Sequence, residues 1–346
     1  MSFPLTTTRS RKLSDKVAKG IKNPGLAASH LYRRSKEAIV RSRLELYRRR
    51  RDIQRQKHLI EEFVSQDEFI LVILDACRYD VFEEICCNYV DGELSKVWSS
   101  GRWTADYVRR TWDDSYDLTY LSSIPVVSDF YFEIRGDEFR PSNYFDEVIP
   151  LWDSEWDPEL GTVPADEVTD TALAYSTQPD QTRLVAHYPQ PHVPYVGDTM
   201  ILPWDSKEVE YDLQELLEKD IDRPTQRIYD QIKSGELPES ELWKAYRDNL
   251  RYVLDEVVRL IRRVDCPVVV TADHGEHLGE SGKYLHEKES CLIRQVPWFV
   301  LSSSETGTVP VEEEYQGVEL AKGSQIQSSD EVKERLADLG YVDGGT

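Results

Sequence analysis

The stretch VVVTADHGEHLGE, residues 268–280, decides the fold class of this chain. Its β-branched start, Val268–Val270, follows a proline and predicts a buried strand of a parallel sheet. Asp273 and His274 come directly after this strand, at its carboxyl end, where open α/β sheets place their functional groups. A carboxylate oxygen beside an imidazole nitrogen suits a zinc or manganese ion. The alternative is a helix-capping aspartate with a neighbouring surface histidine.

Two further predicted strands end in side chains of the same chemistry. The apolar run FILVIL, residues 69–74, stops at Asp75, and the run RLVA, residues 183–186, stops at His187. Scattered surface residues are not expected to recur at three strand ends. Because the carboxyl ends of parallel strands meet at one edge of a sheet, we expect a metal or anion site there.

Strands alternate with helical segments from residue 68 onward, which predicts a three-layer αβα fold with a mainly parallel central sheet. Further strands are expected near residues 94–99, 118–121, 148–151 and 296–301, and helices near residues 81–89, 104–112 and 239–264. The charged residues 200–235 are expected to form helices over the site. The last of the three helices has an apolar stripe that predicts packing against the sheet.

Residues 1–60 are predicted to form a basic helical arm, and residues 61–346 one catalytic domain. The arm carries 17 basic and 4 acidic side chains, a net charge of +13, which leaves −35 for the rest of the chain. Pro24 and Gly25 interrupt the arm, and one helix is expected from Leu26 to Phe63. A basic helix with interleaved apolar residues suits peripheral contact with an anionic membrane face. Docking on the acidic body is the alternative.

The composition predicts a halophilic cytoplasmic protein, because an acidic body with few lysines suits a high-salt cytoplasm; a generic acidic enzyme is the alternative. The apolar runs are strand-sized, far below the roughly 20 residues of a membrane-spanning helix, and no secretory signal is visible. Membrane contact is therefore expected at the inner face. No nucleic-acid partner is expected, because no nucleic-acid motif accompanies the basic arm.

Seven segments, taken in order, resemble the sulfatase-like branch of the alkaline phosphatase superfamily. They are LDACRYD (74–80), WSSGRWTADYVRRTW (98–112), HYPQPHVPY (187–195), AYRDNLRYVLDEV (245–257), TADHGEHLGE (271–280), RQVPWFVL (294–301) and ERLADLGY (334–341). The resemblance implies an alkaline phosphatase-like fold and a metal-dependent hydrolase or transferase of phosphate or sulfate esters. With the acidic composition, it suggests a haloarchaeal member of that branch.

The resemblance implies that Asp75, Asp273 and His274 bind a metal ion, and that Thr104 is a nucleophile on the same ion. One or two divalent ions are implied, and zinc or manganese suits a histidine ligand better than calcium or magnesium. A threonine hydroxyl is inert at neutral pH until a cation lowers its pKa. The helix start adds N–H groups that favour the transferred anion. The alternative role of Thr104 is a helix cap.

Other polar residues of these segments are candidates for catalysis and for substrate binding. The predicted catalytic histidines are His187 and His286, and the predicted substrate-binding residues are Arg78, His192 and Lys283. The histidines alternatively complete a second metal site or are structural, and the two cations alternatively bind acidic neighbours or lie in solvent. Glu276 and His277 are expected to support the metal ligands from behind.

The sequence departs from the formylglycine sulfatases, which carry a CxPxR or SxPxR motif. Cys77 is followed by Arg-Tyr-Asp, Cys86 by Cys-Asn-Tyr, and Thr104 by Ala-Asp-Tyr. The departure favours a direct threonine nucleophile, as in the phosphodiesterases and the phosphoglycerol or phosphoethanolamine transferases of the superfamily. The substrate is then a small-molecule, glycan-linked or lipid-linked ester. The alternatives are a formylglycine-independent sulfatase, a phosphosugar mutase, and a non-catalytic scaffold in surface-glycan assembly.

Overall fold

The computed structural model describes residues 24–178, 182–202, 224–286 and 288–316. The chain divides into two compact units, with the boundary between Asp52 and Ile53. The segment ERLADLGY and most of the predicted helical region 200–235 lie outside the described residues. No described helix is both long enough and apolar enough to cross a membrane.

The expected single helix from Leu26 to Phe63 is wrong, because the structure has two helices there. Helix α1 is Pro24–Arg50 in the first unit, and helix α2 is Gln56–Phe63 in the second. Asp52, between them, has a φ of 53°, a left-handed conformation that ends a helix. Periodicity of apolar residues does not register such a break, which explains the error.

The second unit continues as an alternation of strands and helices. Its elements are β1 (Phe69–Asp75), α3 (Tyr79–Ile85), β2 (Gly92–Trp98), α4 (Thr104–Thr111), β3 (Tyr116–Ser122), α5 (Asp129–Ile134), β4 (Phe145–Pro150), α6 (Leu151–Ser154), α7 (Ala165–Ser176), β5 (Arg183–Pro191), α8 (Pro224–Ser234), α9 (Glu239–Arg263), β6 (Val268–Ala272), β7 (His277–Leu278), β8 (Tyr284–Leu285), α10 (Cys291–Arg294) and β9 (Gln295–Leu301). The predicted strands and the three predicted helices are present, with shifted bounds. Helix α8 falls within the region predicted to be helical.

Seven strands form one sheet in the order β2-β9-β6-β1-β5-β3-β4. Strand β1 pairs in parallel with β5 and β6, and β3 pairs in parallel with β4 and β5. Strand β9 runs antiparallel to its neighbours β2 and β6. The predicted mainly parallel sheet is therefore confirmed. Strands β7 and β8 form a separate hairpin.

Helices cover both faces of this sheet. Successive residues of a strand point to opposite faces, so Trp298 and Phe299 of β9 mark the two faces. The ring of Phe63 in α2 lies 6.2 Å from that of Trp298, and the ring of Phe82 in α3 lies 5.8 Å from that of Phe299. All seven residues of β1 are buried as a result. The predicted three-layer αβα fold is confirmed.

Strand β5 is longer than the predicted strand that stops at His187. The structure continues it to Pro191, after a shift in its pairing with β1. Prolines 189 and 191 lack an N–H donor and therefore resembled the end of a strand in the sequence. His187 consequently lies within the strand, opposite Ile73, and His192 is the histidine that follows the strand end.

Candidate metal centre

The structure brings Asp75, Asp273 and His274 together at the carboxyl edge of the sheet. Asp75 ends β1, and Asp273 and His274 follow the adjacent strand β6. Nε2 of His274 lies 3.5 Å from Oδ1 of Asp75 and 3.3 Å from Oδ2 of Asp273. All three side chains are buried, and one ligand atom from each lies within 4.8 Å of the other two. We call these residues the first cluster.

Backbone contacts hold the first cluster from behind. Oδ1 of Asp273 accepts hydrogen bonds from the backbone N–H groups of Ala76 (3.0 Å) and His274 (2.7 Å). Nδ1 of His274 donates to the carbonyl oxygen of Gly275 at 3.0 Å, which fixes the lone pair on Nε2. A Cβ at Gly275 would lie 2.0 Å from the carbonyl oxygen of Leu292, so only glycine fits there.

The atoms that face the centre of the first cluster fit a divalent ion. Oδ2 of Asp273 and Nε2 of His274 are buried and have no hydrogen-bond partner among the described residues. Burial lowers the pKa of His274 to about 4, so its imidazole is neutral at neutral pH. Buried polar atoms without partners cost free energy, and a bound cation removes that cost. Carboxylate oxygens with one imidazole nitrogen suit zinc or manganese.

A second cluster is formed by His192, Glu276 and His286. Oε1 of Glu276 lies 3.7 Å from Nε2 of His192 and 3.8 Å from Nδ1 of His286. Both carboxylate oxygens of Glu276, and Nδ1 of His286, are buried without a hydrogen-bond partner in the part of the chain that the structure describes. The His286 ring centroid lies 4.7 Å from that of His274, so the two clusters are neighbours. Their ligand set also fits a divalent ion.

The electrostatics of the second cluster follow from its burial. Burial raises the pKa of Glu276 above its ordinary value and lowers that of His286 to about 3. Burial opposes the charged form of His192, but Glu276 and Asp75 raise its pKa above the ordinary value. A cation between these groups would favour the ionised carboxylate and the neutral imidazoles, which are the ligand forms of both side chains.

Glu276 therefore occupies a different place from the supporting position that the sequence predicts. Its carboxylate lies between His192 and His286 rather than behind the ligands of the first cluster. The strand-end rule does not identify it, because it lies in the loop beyond β6. The available signal was its place two residues after His274, in the same charged segment.

Asn249 of helix α9 holds the loop that carries His192. Its Nδ2 donates to the carbonyl oxygens of Pro191 (3.2 Å), His192 (3.1 Å) and Pro194 (3.2 Å), and its Oδ1 accepts from the N–H of Val196 at 3.0 Å. The sequence analysis does not identify this residue. A buried asparagine inside the apolar stripe of a long helix was the signal that could have revealed it.

Thr104 is the first residue of helix α4, and it does not act as a helix cap. Trp103 occupies the capping position, and no described residue makes a hydrogen bond to the buried hydroxyl of Thr104. The hydroxyl of Ser99 donates to the carbonyl oxygen of Asp273 and ties the preceding loop to the first cluster. Burial raises the pKa of Tyr107, on the same helix face as Thr104, and the charge of Asp273 raises it further.

His187 lies against the first cluster from strand β5. Its Nδ1 is 2.8 Å from the hydroxyl of Tyr120, and its buried Nε2 has no hydrogen-bond partner within the described ranges. Burial lowers its pKa to about 4, and the charge of Asp273 opposes that shift while His274 adds to it. His187 is therefore a neutral imidazole with one nitrogen available beside the cluster.

The two predicted substrate-binding cations, Arg78 and Lys283, differ in their surroundings. The guanidinium of Arg78 donates hydrogen bonds to Asp80 and Glu280, and Lys283 is exposed in the turn between β7 and β8. Arg102, which the sequence motifs do not single out, is half-buried. Burial is the main cause of the lowered pKa of His286, and the charge of Arg102 lowers it further. Arg102 is thus a cationic side chain near the second cluster.

Comparisons with known proteins give likenesses among solved structures. The integral membrane lipooligosaccharide phosphoethanolamine transferase A of Neisseria meningitidis matches at a TM-score of 0.40 and 17% identity, over 67% of this chain and 47% of that one, so the chain spans about half its length. The C-terminal periplasmic domain of EcEptC from Escherichia coli, in complex with zinc, matches at a TM-score of 0.43 and 12% identity, over 80% of this chain and 83% of that one. A phosphonate monoester hydrolase from Silicibacter pomeroyi matches at a TM-score of 0.37 and 15% identity, over 80% of this chain and 73% of that one. No protein-family model and no curated protein matches the chain.

Replacing the amide of Asn249 tests its role as the clamp on the His192 loop. Asn249→Ala leaves three carbonyl oxygens and one N–H without their present partner. We expect a loss of about 2 to 4 kcal/mol in the free energy of unfolding, because each unsatisfied buried group costs about 1 to 3 kcal/mol and water can satisfy some of them. Urea unfolding measures the loss. Asn88→Ala is the control, since Asn88 is exposed and makes one hydrogen bond of 3.3 Å; an equal effect of both variants would contradict the clamp.

Proposed function

We propose that this protein is a metal-dependent hydrolase or transferase of phosphate or sulfate esters, with Thr104 as its nucleophile. One observation carries the proposal: two adjacent clusters of ligand atoms lie at the carboxyl edge of the sheet. The loop that Ser99 ties to Asp273 leads into helix α4, whose first residue, Thr104, has a buried hydroxyl without a hydrogen-bond partner in the described segments. The resemblance of the sequence segments to the sulfatase-like branch supports the same reaction class.

The two clusters would hold two ions. Asp75, Asp273 and His274, joined by Thr104, would hold the first, and His192, Glu276 and His286 the second. When bound, the ions supply positive charge that lowers the pKa of a hydroxyl and stabilises the transferred anion. Zinc and manganese suit the mixed oxygen and nitrogen ligands of both clusters.

The reaction follows from the groups around the clusters. Oγ of Thr104 gives up its proton and forms a bond to phosphorus or sulfur, while the bond from that atom to the leaving oxygen breaks. The neutral imidazole of His187 can accept the hydroxyl proton and pass a proton to the leaving oxygen, while His286 is assigned to the second ion. The N–H groups at the start of α4 favour the anion held on Thr104. Water or an acceptor hydroxyl then takes the group and restores the free threonine.

Replacing Thr104 tests the nucleophile. Thr104→Ala removes the attacking hydroxyl, so we expect turnover of the preferred ester to fall on the order of 10³-fold or more, as after loss of other enzyme nucleophiles. Thr104→Ser keeps a hydroxyl and retains part of the activity. The measurement is turnover of an aryl phosphodiester, a phosphomonoester and a sulfate ester, followed by the intact mass of the chain after exposure to each. An adduct that maps to Thr104 is the expected result.

The control for this test is Thr111→Ala, because Thr111 is a buried threonine of the same helix. The Thr111→Ala variant should keep the turnover of the unchanged chain. Formylglycine at Cys77, or a mass adduct on another residue, would contradict the threonine mechanism. No turnover of any ester together with no bound metal would instead favour the non-catalytic scaffold, and conversion of a phosphosugar without net hydrolysis would favour the mutase.

We also propose that the basic arm contacts the anionic inner face of the membrane, which would suit a lipid-linked ester. Helix α1 has eight basic and two acidic residues. Its exposed apolar side chains recur at intervals of seven or eight residues and so share one face. They are Tyr32, Ile39, Val40, Leu46 and Tyr47. Lys36, Arg43 and Arg50 lie on the same face between these apolar residues, so basic and apolar groups would contact an anionic surface together.

Loss of two apolar residues of α1 tests membrane contact. At molar salt the Debye length is about 3 Å, so the apolar side chains must carry most of the attachment. We expect the full chain to float with vesicles that contain phosphatidylglycerol, and Ile39→Ser with Leu46→Ser to abolish flotation. Ile134→Ser is the control, because Ile134 is also exposed, at 42%, but belongs to α5. Equal flotation of the double variant and the control would contradict the proposal.

A further inference from the structure

The second cluster depends on a very short hairpin. Glu276 directly precedes strand β7 and His286 directly follows strand β8, so the closed hairpin brings their side chains to 3.8 Å. The strands contain two residues each, and their turn is closed by the Gly279 N–H, which donates to the carbonyl oxygen of Lys283 at 2.8 Å. A two-stranded hairpin is marginal by itself in water, so this one needs an external tie.

Arg78 supplies a tie from the other side of the site. It lies three residues after Asp75, the first-cluster residue that ends β1. Its Nη1 donates to Oε1 of Glu280, and the other oxygen of Glu280 accepts from the N–H of Leu278 at 2.8 Å. One carboxylate in the hairpin turn therefore joins strand β7 to the loop after β1.

The guanidinium of Arg78 is itself held in place. Its Nε and Nη2 donate to the two oxygens of Asp80 at 3.0 and 2.7 Å, and its Cζ lies 4.8 Å from the ring centroid of Trp243. The hydroxyl of Tyr246 accepts from the backbone N–H of Arg78 at 2.9 Å. With only 3% of its side chain exposed, Arg78 is a rigid anchor rather than a mobile surface cation.

We propose that Arg78 and Glu280 are positioning residues that set the geometry of the second cluster. The ion pair fixes the hairpin, and the hairpin fixes the distance between Glu276 and His286. The pair thereby links the loop of the first cluster to the ligands of the second. The proposal rests on the proposed function in so far as it assigns an ion to each cluster.

A positioning role changes the affinity for one ion more than for the other, whereas a purely stabilising role affects the fold as a whole. Ion pairs add little net stability, because desolvation of the buried partner and solvent screening of the exposed one offset much of the attraction, and Glu280 is 32% exposed. The main effect of this pair is therefore geometric. Groups that orient metal ligands typically change metal affinity by about 10- to 100-fold when they are replaced. Glu280 contacts Arg78 and the Leu278 N–H of the hairpin. Asp75, by contrast, is held by the pairing of β1, and Asp273 by backbone N–H groups. Loss of the pair should therefore weaken the second ion and spare the first.

The test is a calorimetric titration of the metal-stripped full chain with zinc. The unchanged chain should bind two ions. In Glu280→Gln we expect the dissociation constant of the second ion to rise about 10- to 100-fold while that of the first stays unchanged. Arg78→Lys keeps the charge but loses the planar fork, so it should show a smaller rise for the same ion. Glu84→Gln is the matched control, because Glu84 pairs with Arg247 at an exposed site.

Hydrogen exchange separates this proposal from the proposed function. In the metal-free chain, the Gly279 amide should exchange faster in Glu280→Gln than in the unchanged chain and in Glu84→Gln. Unchanged exchange, or equal weakening of both ions, would overturn the positioning role. A chain that binds no zinc, yet shows the faster exchange, would overturn the two-ion site and leave the Arg78–Glu280 tie supported.

Discussion

The parallel pairing of β1 with β6 is the constraint on which the rest of the site depends. Leu74 and Ala272 are partners in the register, so the chain leaves the two strands side by side and delivers Asp75 and Asp273 to one buried edge. Together with His274 these carboxylates form a buried set of ligand atoms whose oxygen and nitrogen donors suit a divalent cation.

Helix α9 holds the loops that follow these strands. It presents polar or aromatic side chains at intervals of three residues: the Trp243 ring lies against Arg78, the Tyr246 hydroxyl donates to the carbonyl oxygen of Ala76 at 2.7 Å, and the Asn249 amide clamps the His192 loop. One helix thus fixes segments that contribute to both clusters. The long amphipathic helix is therefore a part of the site as well as a covering layer of the sheet.

The sequence predicts the parts of the site that local pattern controls. Runs such as FILVIL and VVV mark buried strands, and the residues that end them, Asp75 and Asp273, meet as expected. Glu276 was not predicted as a ligand, because its position depends on a hairpin of two-residue strands that leaves almost no periodic signal. The break at Asp52 was missed for a similar reason, since a single left-handed residue changes a helix without changing its apolar pattern.

Metal content decides whether the two clusters are ion sites. Diffraction data from the full chain crystallised with zinc, collected at the zinc absorption edge, would locate each ion by its anomalous signal. We expect one peak among Asp75, Asp273, His274 and the hydroxyl of Thr104, and a second peak among His192, Glu276 and His286. A folded chain that shows no peak at either cluster under saturating zinc or manganese would contradict this expectation.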